Sequence, residues 1–170
     1  MPFRKEKMLL DNKKAVVGQP IGLLIILIIA AIIMTLLSFS IQNLLEDSQI
    51  HQVEREINTI LTDASNMYEY ATEGSTDTLH VEFPMSLRFI VFGTLPRNGI
   101  LEPTDLSLDE NTTNNYYFVM NDGTLKIFHS NARFSSRNLT QIALFHSGAY
   151  DITLELCSKE GKSYVTMYSR

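Results

Sequence analysis

Residues 21–41 read IGLLIILIIAAIIMTLLSFSI, a run without a charged side chain, broken only by Gly22, Thr35, Ser38 and Ser40. As a helix rising about 1.5 Å per residue it spans roughly 30 Å, the thickness of a bilayer's hydrocarbon core. It is apolar on every side, so it does not read as an amphipathic surface helix. The charges flanking it are uneven. The first 15 residues hold Arg4, Lys5, Lys7, Lys13 and Lys14 against Glu6 and Asp11, and the rest of the chain carries 9 basic and 17 acidic side chains. A basic tip before an apolar wall predicts that residues 1–15 are cytoplasmic and that everything after residue 41 lies outside. Overall, 14 Lys+Arg against 19 Asp+Glu argues against nucleic acid as a partner. A cleaved secretory signal fits less well. Ser38-Phe39-Ser40 mimics its small-x-small site, but the apolar core exceeds the usual span of about 7 to 15 residues and the pattern runs on past it.

Beyond the wall the pattern changes character. Ile50, Val53, Ile57, Ile60, Ala64, Met67 and Ala71 follow one another at spacings of 3, 4, 3, 4, 3 and 4, an a/d seam on a helix whose other faces carry Glu54, Arg55, Glu56, Asn58, Thr59 and Asp63. No proline or glycine occurs between Leu23 and Glu73, so one helix of about 50 residues is the economical reading. Glu73-Gly74-Ser75 supplies its stop. The seam is the right length either to pack on the chain's own β-domain or to pack also against identical helices, and three heptads do not separate the two.

From residue 76 onward the pattern is that of β-structure. Residues 78–83 alternate with Leu79, Val81 and Phe83 inward, and residues 86–93, SLRFIVFG, have the near-continuous apolarity of a central strand. NYYFVM and TLKIFHS flank Asn121-Asp122-Gly123, and YDITLELCS and SYVTMYS flank residues 159–162, giving two hairpins. Residues 137–145 suit either a strand or a short helix. Residues 94–115, with Pro96, Gly99 and Pro103, read as a long surface excursion. The fold class is therefore α+β: a long N-terminal helix, transmembrane then amphipathic, followed by an antiparallel sheet or sandwich domain. The domains are a leader at 1–15, a transmembrane helix at 16–41, a stalk at 42–73 and an external β-domain at 74–170.

Motifs for chemistry are sparse. His51, His80, His129 and His146 form no i,i+4 pair, and Cys157, the single cysteine, sits in a strand-like run as a packing residue. GQPIGLL lacks the lysine and preceding strand of a phosphate loop, and HSGAY lacks the second glycine of a nucleophile elbow. No cofactor and no enzymatic activity are expected. Two N-glycosylation triplets, at Asn111 and Asn138, fall on the side assigned as external.

Lys13-Lys14-Ala15-Val16-Val17-Gly18, directly ahead of the apolar helix, resembles the class III signal peptide of archaeal archaellins and type IV pilin-like proteins. In that family a prepilin-type signal peptidase cuts on the cytoplasmic side after a basic pair and a small residue. The apolar helix then stays on the mature subunit. A cut between Ala15 and Val16 puts Lys13 and Lys14 at −3 and −2, Ala15 at −1 and Gly18 at +3, as the family pattern asks. A cut after Gly18 moves the lysines further from the bond. Gly18 and Pro20 suggest that residues 16–20 are extended when presented to the enzyme. The resemblance implies a structural subunit of a surface filament or adhesion device, partnered by the membrane, the peptidase and other pilin-like subunits, identical or not. Pro20 stands where bacterial type IV pilins have a glutamate at position five. An unprocessed single-pass anchor presenting a ligand- or partner-binding β-domain is the alternative.

Overall fold

The computed structural model describes residues 6–97 and 101–169, with side chains from residue 21 onward. One helix, α1, runs Glu6–Tyr70. The chain divides between Asp47 and Ser48 into two units. In the first, the described residues are all helix. The division falls inside the stretch assigned to the stalk, because packing onto the β-structure begins only at Ile50.

The second unit holds the end of α1 and eight strands: β1 Thr76–Phe83, β2 Leu87–Phe92, β3 Asn115–Met120, β4 Leu125–His129, β5 Phe134–Ser136, β6 Ala143–Phe145, β7 Gly148–Lys159 and β8 Lys162–Ser169. They form two four-stranded sheets, ordered β1-β7-β8-β5 and β4-β3-β2-β6. All neighbours are antiparallel except β5 and β8, which run parallel. The α+β class is the observed one, with two sheets.

Local chemistry sets the corners. At β7–β8 both central residues, Glu160 and Gly161, have positive φ (54° and 75°), the twist-matched two-residue hairpin. At β3–β4 only Gly123 is left-handed (φ 90°), and Asp122 accepts from the Thr124 amide at 2.7 Å. That is a three-residue turn, with glycine needed only at its last position. The helix stops three residues before the expected Glu73. Gly74 (φ 85°) turns the chain, and its amide donates to the Leu156 carbonyl at 2.8 Å, so sheet pairing ends the helix earlier than its stop residues suggest. Residues 137–145 form no helix. They hold a turn, with Leu139 at φ 57°, and then β6.

One core joins the helix to both sheets. Val53, Ile57, Ile60, Ala64 and Met67 pack with Val81 and Phe83 of β1, Ile90 and Phe92 of β2, Phe118 of β3, and Ile152 and Leu154 of β7. A register shift between Leu87 and Phe89 puts Leu87 on the same side as Ile90 and Phe92. The opposite face of the β2–β3 pair carries Phe89, Val91, Tyr117 and Val119, covered by Ile142, Leu101 and Leu108. Residues 101–108 are thus not merely a surface excursion. The Tyr117 hydroxyl donates to the Leu101 carbonyl at 3.0 Å and the Ile142 amide to the Leu106 carbonyl at 2.9 Å, fastening the segment over an apolar face that would otherwise be wet. The double cover explains why β2 is buried at every position but Arg88.

Two substitutions test this packing. Ile60 is fully buried, so Ile60→Ala should cost about 2–5 kcal/mol in denaturant unfolding of the detergent-solubilised chain. Thr59→Ala, on the exposed face of the same turn, should stay within about 0.5 kcal/mol. Gly93 has φ 95°, and a Cβ there would lie 2.7 Å from the Phe134 carbonyl oxygen. Gly93→Ala should therefore destabilise by more than the roughly 1–2 kcal/mol that left-handed geometry alone costs, read as a lower unfolding midpoint.

Candidate functional site

The sequence places its proposed site at the N-terminal junction. There α1 passes without interruption through Lys13, Lys14, Ala15, Val16 and Gly18. Residues 16–20 are helical. Pro20 has no amide to donate to the Val16 carbonyl, and proline and glycine each weaken a helix interior, by about 3 and 1 kcal/mol. Local unwinding is therefore easier around residues 16–20. The side chains of Lys13, Lys14, Ala15, Val16 and Gly18 lie outside the described ones.

From residue 21 to 45 the helix presents apolar side chains on all sides. The large hydrophobics between Ile21 and Leu45 are each 51–71% exposed. The polar side chains in this stretch are partly neutralised locally. Thr35 donates to the Ala31 carbonyl at 2.8 Å and Ser38 to the Met34 carbonyl at 2.9 Å, so neither hydroxyl needs water. The helix is long and apolar enough to cross a membrane.

The second half of the helix has the opposite character. Val53, Ile57, Ile60, Ala64 and Met67 are 0–7% exposed, with Ile50 partly buried at the edge. Val53, Ile57, Ile60, Ala64 and Met67 are covered by the chain's own sheets. The flank of the seam is held by a pair that sequence reasoning missed: Lys126 Nζ of β4 donates to Glu54 Oε1 at 2.6 Å. The partners are 72 positions apart, and no local spacing signals them. Beside them Glu54, Ile57 and Asn58 wall a groove of about 150 Å³ with Tyr116, Phe118 and Phe128. Tyr116 and Phe128, paired in register, stack with centroids 5.1 Å apart. Burial pushes the Tyr116 phenol up to about 12, helped by the Glu54 charge, so it is neutral at any physiological pH. The Lys126 hydrogen bond leads in holding the Glu54 carboxyl below its usual range.

The histidines do not converge, and among the described residues no group of His, Cys, Asp and Glu has metal-binding geometry. His80 pairs with Asp151 at 2.9 Å across β1 and β7, an exposed contact that raises the imidazole's pKa. His51 reaches Glu54 at 3.1 Å, while His129 meets Asn114 and Asn115. Cys157 is partly buried on β7 opposite Tyr164, and burial pushes its thiol up, away from the reactive thiolate. The two glycosylation triplets lie on different turns. Asn111 is exposed, but its triplet's Thr113 is 2% exposed; Asn138 and Thr140 are both exposed. The chain matches no protein-family model, no curated protein and no solved structure.

The Glu54–Lys126 pair gives a pH test. A carboxylate whose folded pKa is depressed contributes stability above its unfolded value, and that contribution is lost as pH falls through the folded value. Lys126→Ala should destabilise at pH 7 by under about 1 kcal/mol, since the lysine is partly solvated. The gap from the wild type should close as pH drops below 4.5, the carboxyl's ordinary value, in urea titrations across that range.

Proposed function

We propose that the chain is a membrane-inserted, pilin-like structural subunit. A prepilin-type peptidase removes residues 1–15, and the apolar helix then packs in a filament while the β-domain faces outward for assembly or adhesion. One observation carries this reading: from Ile21 to Leu45 the large hydrophobics are all more than half exposed, whereas the same helix buries its next apolar stretch in its own domain. A surface of that size is not left to water. Before assembly lipid covers it; in a filament, equivalent helices of other subunits do. The seam is already covered by the sheets, so the apolar sleeve at 21–45 is the surface left for helix–helix assembly. Removing the leader favours the transfer, because Lys13 and Lys14 resist entry into a dry core. The four-position match at Lys13, Lys14, Ala15 and Gly18 supports the cut between Ala15 and Val16.

N-terminal sequencing of protein extracted from membranes tests the processing step. The mature chain should begin at Val16, and Ala15→Arg should leave the leader attached and keep the subunit out of sheared surface fractions. A wild-type chain beginning at Met1 or Pro2 would instead identify an unprocessed anchor displaying the β-domain.

A further inference from the structure

We infer that Asn138, and not Asn111, is the N-glycan acceptor of the folded protein, through the different way the fold presents the two triplets. The inference rests on the external placement of the β-domain. Asn138-Leu139-Thr140 caps the turn that follows β5. The Leu139 amide donates to the Ser136 carbonyl at 3.1 Å, and Leu139 takes φ 57°, which folds the triplet back on itself. Both groups that a glycosyltransferase must read, the Asn138 carboxamide and the Thr140 hydroxyl, are on exposed residues. The carboxamide is also pre-oriented. Its Oδ1 accepts from Ser136 Oγ at 2.6 Å and from the Thr140 amide at 3.2 Å, and its Nδ2 donates to Gln141 Oε1 at 3.2 Å. These bonds fix the plane in which Nδ2 presents its protons.

The transfer is a substitution by Nδ2. Nδ2 attacks the anomeric carbon of a lipid-linked oligosaccharide, a C–N bond forms, and the bond from that carbon to the lipid phosphate oxygen breaks. The phosphate leaves with the electron pair, Nδ2 gives up one proton to a base of the transferase, and its remaining N–H is available to Gln141.

Asn111-Thr112-Thr113 offers no such access. It lies in the turn leading into β3, where Thr113 is 2% exposed, its hydroxyl donating to the Glu110 carbonyl at 3.3 Å. The backbone does not separate the triplets, since the Thr113 carbonyl accepts from the Phe134 amide at 2.7 Å and the Thr140 carbonyl from the Leu108 amide at 2.9 Å; the difference is the burial of the Thr113 side chain. A transferase that reads the hydroxyl two residues past the asparagine would have to expose that side chain first.

The test uses the full chain in detergent micelles, an oligosaccharyltransferase that reads Asn-X-Ser/Thr, and a lipid-linked oligosaccharide. Asn111 and Asn138 fall on different tryptic peptides, so mass spectrometry reads each occupancy separately. Synthetic peptides covering residues 109–115 and 136–142 report the preference of the bare sequences. The folded chain should be modified at Asn138 at least about tenfold more than at Asn111, with Thr140→Ala abolishing the signal and the two peptides differing far less. Equal or greater occupancy at Asn111, an unmodified Asn138, or the same ratio in the free peptides would each overturn the assignment. The result is independent of where the mature chain begins, so it stands or falls apart from leader processing.

Discussion

The fold depends on the burial of one helical stripe. Val53, Ile57, Ile60, Ala64 and Met67 lie in the same core as the inward faces of both sheets. Fully burying a large aliphatic side chain is worth about 1.5–3 kcal/mol, and a domain's whole margin is only about 5–15 kcal/mol. Removing the stripe would therefore cost an amount comparable with the entire stability, and it would leave Val81, Phe83, Phe118 and Ile152 facing water. The helix is thus not a stalk to which a finished β-domain is attached. It is one wall of that domain, and the spacing of 3 and 4 records this duty.

The remaining faces depend on it in turn. The sheet β4-β3-β2-β6 has one face committed to the helix side of the core, and β2 and β3 are apolar on the other face as well. Something must cover Phe89, Val91 and Val119, and the chain uses residues 101–108 for it. Gly93, just past the end of β2, begins the excursion. Its backbone must pass under the Phe134 carbonyl, with no room for a Cβ. Aromatic side chains fill the wide spaces between layers. Phe92, Tyr116 and Phe128 sit in register on neighbouring strands, and Phe134 meets Phe92 edge-on at 5.4 Å.

Much of this is legible in the sequence because period and turn chemistry are local. The 3-4 spacing marks the helix, alternation marks β1, and Glu160-Gly161 and Asp122-Gly123 mark the hairpins. The features that the chain does not announce are non-local. The parallel pairing of β5 with β8 joins segments with no turn between them, and the Glu54–Lys126 pair bridges residues 72 positions apart. The double cover of β2 shows only as unusual apolarity, which does not say what lies on each face. The loop at 94–115 is marked by its polar and proline content, whereas a few residues, Leu101, Leu108 and the carbonyl that meets Tyr117, decide its position. The N-terminal junction is the reverse case: its signal is compositional, and one proline is too little to stop a long helix.

The apolar residues of α1 therefore fall into two populations that composition alone does not distinguish. Both are aliphatic-rich, and both continue the same helix. From Ile50 onward they recur on one stripe, with charged and polar residues between them, and the chain supplies their cover. From Ile21 to Leu45 they occupy all faces, and within its own unit no described element covers them. A stripe can be satisfied by one partner surface, which a folded domain can provide from a single side. A full cylinder needs a surrounding medium, either lipid or a ring of like helices, and a single small domain cannot provide either. The change from cylinder to stripe between residues 45 and 50 is thus where the burden of solvation passes from the environment to the chain itself.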